Sequence, residues 1–362
     1  MAPRWQLPSW LVVLVWGFGA SAASAQTFNT MINNGPSANR VDIVFLGDGY
    51  TAADHSAGTY VNHITGYINY MFTPGALVDP FPRYNKFFNV HRVNVVSAQS
   101  GADQPQNGIF RNTALDASYR WDGVTDRLLY ISESKANAAL ATGLAGTGVT
   151  AEMKYVVVND SLYGGGGGNY AVYAGANSAS HEIALHEVGH SFARLADEYG
   201  GFPGPYSGAE PTEVNVTKDP TGDKWSRWHG YNQPGIGIIG SYEGARYYDT
   251  GLFRPSDNSK MRSLNRPFDA VSREKFNLDI YELVDPLDSW TPNGNTLTNP
   301  GSLAVVRIDV MSLRWSGSWM ASPSTGRTAV PLTSAAWPRV STPSWPAPSI
   351  RWASTPTMAG SA

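Results

Sequence analysis

The residues best suited to chemistry lie in one stretch, Ser180 to Tyr199, which reads Ser-His-Glu-Ile-Ala-Leu-His-Glu-Val-Gly-His-Ser-Phe-Ala-Arg-Leu-Ala-Asp-Glu-Tyr. His186 and His190 stand four apart, so on a helix both imidazoles leave one face, about 6 Å apart along the axis, and can hold one zinc ion. Glu187 follows the first of the pair. One step round the helix, it can take the proton of a water on the metal's open position as a carbonyl is attacked. The competing reading is a surface helix with scattered histidines. Against it, Ile183, Leu185, Val188, Phe192 and Leu195 make the helix amphipathic and core-facing, where two unpaired histidines would be costly. His181, five residues before His186, falls off the shared face and reads as a helix-start histidine.

A catalytic zinc ion takes three protein ligands and keeps one position open. In the extended metzincin pattern a Gly three residues after the second His breaks the helix, and a ligand follows three later. Here those positions are Ala193 and Ala196, and Asp197 is the nearest oxygen ligand. On an unbroken helix Asp197 would share the histidine face but lie about 10 Å beyond His190, too far for one ion at about 2 Å. It can be a ligand only if the helix breaks near Ala193 or Arg194. No Gly or Pro marks such a break, and Gly200-Gly201 would serve equally well as the end of a longer helix. Glu198 points elsewhere, and Glu210, Glu213, His229 and Asp249 lie in irregular chain without recognisable spacing. Further on, Met261 stands about seventy residues past the helix, where metzincins place a tight turn beneath the metal.

These residues need a scaffold. Val41 to Gly47, closed by Asp48-Gly49, reads as a buried strand entering a tight turn, and Val90 to Val96 and Tyr155 to Val158 as further strands. Helical spacing recurs near Ala53 to Met71 and Ser134 to Ala141. The chemistry-bearing helix would start with Ser180 as N-cap. This alternation describes an α/β (α+β) domain with a mixed twisted sheet, an active-site helix and a largely irregular C-terminal subdomain from Gly200 to about Asn258. Gly164 to Gly168 is a run of five glycines. Without a following Lys-Ser/Thr it is no phosphate loop, and it reads as a mobile loop leading into an exposed edge strand, Tyr170 to Tyr173, on which an extended peptide could lie.

The chain has 362 residues, 26 Lys+Arg against 29 Asp+Glu, and a net charge of -3 with no basic run, which disfavours nucleic acid or an anionic membrane as partner. Charged residues are only 15% of the chain, against about 25% on average. Arg4, an apolar run from Trp10 to Ala20 and Ala23-Ser24-Ala25 before Gln26 read as a secretory signal peptide over 1–25, so a secreted protein, with no membrane association after processing, is expected. With no cysteine, disulfides are excluded. Residues 26–290 form the expected catalytic domain, and 291–362 a β-like start followed by a different kind of sequence. From 310 to 362 there are five Trp and four Arg but no Asp, Glu, Lys, His, Asn, Gln, Tyr or Phe. That break reads as a low-complexity tail or a reading-frame change, the latter favoured because Leu297 to Val310 looks like the start of a β-rich module that is then lost.

Taken together, Phe45-Leu46-Gly47-Asp48-Gly49-Tyr50, His186 to Tyr199 with its Leu-Ala-Asp-Glu-Tyr ending, Glu243-Gly244-Ala245, and Met261 with Arg273-Glu274 resemble the secreted IgA-peptidase-type zinc metallopeptidase family. The resemblance spans about residues 28 to 290. It implies a metzincin-like domain with one catalytic Zn2+ on His186, His190 and Asp197, Glu187 as general base, and Met261 in a turn under the metal. Where relatives often carry cysteines near that turn, this chain has Ser259 and Ser272. The implied function is zinc-dependent endopeptidase, acting on a protein or peptide substrate, with immunoglobulin-like proteins the class suggested by the family name. Tyr199, Tyr247 and Tyr248 are candidates for stabilising the oxyanion. The alternative is a secreted binding or adhesin module with a structural metal site, which would need a fourth protein ligand and give Glu187 no role.

Overall fold

A strand that shows no polar alternation must be covered on both faces. In a computed structural model, which describes residues 26–292 and 304–308, all eight residues of Val41–Asp48 are buried. In chain order the first elements are β1 (Thr27–Ile32), β2 (Val41–Asp48), α1 (Ala52–Ser56), α2 (Thr59–Phe72), β3 (Phe88–Asn94), α3 (Glu133–Leu144), β4 (Met153–Val158), β5 (Gly165–Gly166), β6 (Ala171–Ala174) and α4 (Ser180–Ser191). The strands form one six-stranded sheet of order β1-β3-β2-β4-β6-β5. Parallel pairing joins β3, β2, β4 and β6, while β1 and β5 run antiparallel at the two ends. The fold is therefore mixed α/β with a mixed sheet.

Successive residues of a strand face opposite sides, and the core divides accordingly. Ile43 and Phe45 join Tyr155, Tyr173 and the apolar residues of α2 and α4 on one side. Val44, Leu46, Val156 and Val172 join Leu129, Ile131 and the small residues of α3 on the other. Helix α4 follows β6 directly, so the sheet carries the helix that bears His186 and His190.

Tyr170 to Tyr173 is not an exposed edge. Strand β6 lies between β4 and β5, and the edge is the glycine pair of β5 itself. The region from Gly200 to Asn258 is also more ordered than its sequence suggests. It holds β7 (Phe202–Pro205), β8 (Asn232–Gln233), β9 (Gly237–Ile238), β10 (Tyr242–Ala245) and β11 (Tyr248–Arg254), and a three-stranded sheet of order β10-β11-β7. Strands this short show no countable period, and Gly244 and Gly251 adopt positive φ of 96° and 81° within them. Tyr248 packs its ring against Phe202 and Tyr206, which holds the small sheet together. A last helix, α5 (Ala270–Leu283), is capped by Asp269, whose side chain accepts from Ser272 N.

Residues 1–25 and 310–362, with their signal-peptide and frameshift readings, lie outside the described residues. Of the described residues, 289–292 and 304–306 belong to a separate unit, within which Thr291 N donates to Ala304 O at 2.8 Å. No helix among the described residues is long and apolar enough to cross a membrane.

At the end of β2, the buried Asp48 carboxylate ties a long connection to the sheet. It accepts from Ser97 Oγ at 2.9 Å, Thr113 Oγ1 at 2.8 Å, Leu115 N at 3.0 Å and Ala117 N at 2.8 Å. Asp48→Ala would leave the buried Leu115 N–H without its acceptor and take one hydrogen bond each from Ala117 N and the hydroxyls of Ser97 and Thr113. We expect it to destabilise the protein by about 3 kcal/mol or more. A melting curve superimposable on the parent's would show that water replaces the carboxylate.

Candidate metal centre

Helix α4 starts one residue earlier than its sequence suggests: Ala179 is the N-cap, with no side-chain cap bond, and Ser180 is the first helical residue. It also ends early, at Ser191, well before Gly200-Gly201. The break comes without Gly or Pro. Arg194 adopts the left-handed conformation at φ 53°, its N–H donates to His190 O at 3.1 Å, and Leu195 N donates to Gly189 O at 2.9 Å. Arg194 keeps its side chain in solvent, while Ala193 and Leu195 on either side are buried. The chain thus doubles back over its last turn.

That reversal brings Asp197 to the histidines. His186 Nε2 lies 3.2 Å from His190 Nε2, and Asp197 Oδ1 lies 3.1 Å from the first and 3.4 Å from the second. Four ligands placed tetrahedrally at about 2.0–2.1 Å from a zinc ion are about 3.3–3.4 Å from one another. The three donor atoms therefore form one face of a tetrahedron of the right size.

The tautomers agree with this. His186 Nδ1 donates to Lys260 O at 2.9 Å, and His190 Nδ1 donates to Leu195 O at 2.7 Å. With both Nδ1 protons committed to carbonyls, each neutral ring presents a lone pair at Nε2, and the two lone pairs face each other. Such a site calls for a cation. Burial disfavours a charged His190, yet the Asp197 carboxylate beside it more than offsets this and raises its pKa to about 9. Burial likewise opposes the charge on Asp197, but the contacts of its carboxylate with both histidines hold its carboxyl far below the usual range. The residues present fit a divalent metal with nitrogen and oxygen ligands.

Glu187 lies beside this triangle. His186, Glu187 and His190 each offer an atom within 4.8 Å of the others. Unlike Asp197, the Glu187 carboxylate accepts no hydrogen bond among the described residues, and burial pushes its pKa up despite the nearby histidines. It opens into a cleft of ≈ 290 Å³ shared with Arg127, Tyr163, Tyr199 and Arg262.

The glycine run walls this cleft. A Cβ on Gly165 would come within 2.8 Å of Glu187 Oε1, and one on Gly167 within 2.5 Å of His190 Cβ. No side chain fits between this strand and the helix, so the run is a contact surface and not only a mobile loop. Beneath the helix, Met261 is fully buried, and a Cβ on Gly189 would meet its Sδ at 2.6 Å. The turn that carries it is tied down on both sides. Lys260, buried, bonds Glu182 of α4 at 2.6 Å, and Ser259 Oγ donates to Glu198 Oε2 at 2.7 Å. Ser272 is also buried.

The three tyrosines separate. Tyr247 Oη donates to Asp197 Oδ2 at 2.6 Å, leaving Oδ1 for the histidine side. Tyr199 lines the cleft, whereas Tyr248 packs into the small sheet. His181 lies away from the centre, against the rings of Tyr67 and Tyr70 on α2. Arg127, Tyr163 and Arg262 carried no signal in the sequence, being single residues in irregular chain. A hydrogen bond that fixes a ligating carboxylate is commonly worth 10- to 100-fold in metal affinity. We expect Tyr247→Phe to weaken zinc binding by about that factor in competition with a chromophoric chelator. Unchanged affinity would mean that Asp197 keeps its orientation without Tyr247.

No curated protein matches the chain. The family described as IgA Peptidase M64 matches residues 30–236, a span that takes in the six-stranded sheet from within β1 onward, helix α4 and the reversal up to Asp197. Met261 and Tyr247 lie beyond it. A match over more than half of the chain, containing the His-Glu-x-x-His helix and the carboxylate that returns to it, shows that this chain belongs to the IgA peptidase M64 family and is a peptidase.

Proposed function

We propose that the protein is a secreted, zinc-dependent endopeptidase of metzincin-like type, with His186, His190 and Asp197 as the metal ligands and Glu187 as the general base. The observation that carries this reading is the triangle of donor atoms, with edges of 3.1, 3.2 and 3.4 Å, whose two imidazoles have their other nitrogens committed to carbonyls. A zinc ion held there would acidify a water molecule and polarise the substrate carbonyl.

The chain's own residues do the rest. Glu187, buried and without a hydrogen-bond partner among the described residues, accepts the water's proton at its carboxylate and returns it to the leaving amine nitrogen. Its raised pKa suits both halves of that task, since a carboxyl that holds a proton only weakly cannot carry it from one step to the next. Gly165 lets the cleft wall approach Glu187 closely, and the ring of Tyr199 lies where it can meet the substrate. Of the three tyrosines, Tyr199 is the one free to stabilise an oxyanion, because Tyr247 is engaged with Asp197. The substrate is a protein or peptide. Immunoglobulin-like chains are a class to include in the first screen, and the amino-terminal 25 residues support export.

Glu187→Gln should lower peptide hydrolysis by about 10²- to 10⁴-fold while zinc content and melting temperature stay near those of the parent. Zinc content is read by metal analysis of the purified protein. His186→Ala and His190→Ala should lose both metal and activity. A Glu187→Gln protein that cleaves casein at the parent rate, or that loses its zinc, would remove Glu187 from the role of base.

A further inference from the structure

The cleft beside Glu187 holds two guanidinium groups, Arg127 and Arg262, against the single carboxylate of Glu187. Both are positioned by the backbone. Gly165 N donates to Arg127 O at 3.2 Å and Leu129 N donates to Gly165 O at 3.1 Å, so pairing with the sheet edge carries Arg127 to the cleft. Its Cζ lies 5.8 Å from the centre of the Tyr199 ring, and Nη2 donates to Tyr199 Oη at 3.4 Å. Among the described residues no carboxylate pairs with it. Arg262 belongs to the turn that carries Met261 and whose Lys260 carbonyl holds His186. Its Nη1 donates to Asp257 O at 2.6 Å, and the Asp257 carboxylate, 3.6 Å away, is mostly in solvent.

A planar guanidinium whose neighbours are tyrosine rings and backbone, in a cleft open to water, keeps most of its donors for an incoming anion. Its partner of choice is a carboxylate, bound through two parallel N–H donors. We propose that Arg127 and Arg262 make this cleft a subsite for a substrate carboxylate next to the scissile bond. The proposal rests on the reading of the adjacent centre as the peptidase site. The carboxylate has two sources of identical chemistry, an Asp or Glu side chain near the scissile bond or the free C-terminus of the peptide.

The test uses the zinc-loaded full-length protein and matched fluorogenic peptides. One series exchanges Glu for Gln at each position flanking the cleaved bond, and a second compares free with amidated C-termini. We expect kcat/KM to favour the carboxylate by about tenfold or more at one position, the scale of one charge-assisted hydrogen bond. In Arg127→Gln that preference should fall below about threefold, and Arg127→Lys, which keeps the charge but not the fork, should fall between. A preference confined to the side-chain series identifies an acidic residue. One confined to the free C-terminus identifies terminal recognition, and both support the subsite. Equal cleavage within every pair by the parent overturns it, as does a preference that survives both Arg127→Gln and Arg262→Gln.

Binding separates this proposal from the reading beneath it. Fluorescence anisotropy on Glu187→Gln should show the carboxylate peptide bound about tenfold more tightly than its amide twin, and the difference should vanish when Arg127→Gln is added. Activity lost with Glu187→Gln but no carboxylate preference in either assay leaves the peptidase site standing and removes the subsite. A binding preference in a protein whose parent cleaves no peptide does the reverse.

Discussion

The site depends on one reversal of the backbone at Arg194. A helix continued past Ser191 would carry Asp197 about 10 Å from His190, and the two histidines would lack their third partner. A non-glycine residue in the left-handed region costs about 1 kcal/mol or somewhat more, so the turn must be held by its surroundings. The Asn215 side chain does this by bonding both the N–H and the C=O of Ala196 at 2.9 Å. His190 itself bonds Leu195 O, and Glu198 N bonds Met261 O at 2.8 Å. A metal bound to all three side chains adds its own binding energy to the same conformation. Helix, turn and buried methionine therefore stand or fall together.

Two carboxylates share this small volume and are pushed in opposite directions. Asp197 faces both imidazoles and receives the Tyr247 hydroxyl, so its charge is strongly favoured although it is buried. Glu187, one helical step from His186, receives no hydrogen bond among the described residues, and burial favours its neutral form. Environments that separate two carboxyl groups in this way suit them to different work, and in the proposed mechanism Asp197 keeps its charge while Glu187 transfers the proton. The difference follows from which donors reach them and not from residue type. The third carboxyl, Glu198, is fully buried with Ser259 and Asn215 and has its pKa pushed well up. It serves the turn, not the cleft.

What could be read in the sequence was local. His186 and His190 share a face because helix geometry puts i and i+4 together, and Val41 to Gly47 reads as a buried strand because its apolar run is uninterrupted. The break at Arg194 is required if Asp197 is a ligand, but no local residue marks it, because Asn215 and Met261, which hold it, are far along the chain. Strands β7 to β11 escaped notice for a related reason: they are short, glycine-punctuated and stabilised by ring contacts between distant tyrosines. The edge of the sheet was assigned one strand too early. Glycines look like a loop when their neighbours are unknown, whereas here they mark where the strand runs against the helix.

That close approach also determines how a substrate can enter. Gly165 has already used its outward N–H and C=O on Arg127 and Leu129, so a peptide cannot extend the sheet at that residue. The pairing passes outward instead to the segment that bears Arg127. A sheet edge made of side-chain-bearing residues would have kept its distance from α4, and Glu187 would then face open solvent across a wider gap. With glycine there, the wall nearest Glu187 is bare backbone, and Arg127, Tyr163, Tyr199 and Arg262 are among the side chains that line the rest of the cleft. Under the proposed reading, selectivity falls to residues outside the His-Glu-x-x-His helix, which is then free to keep the geometry that hydrolysis needs.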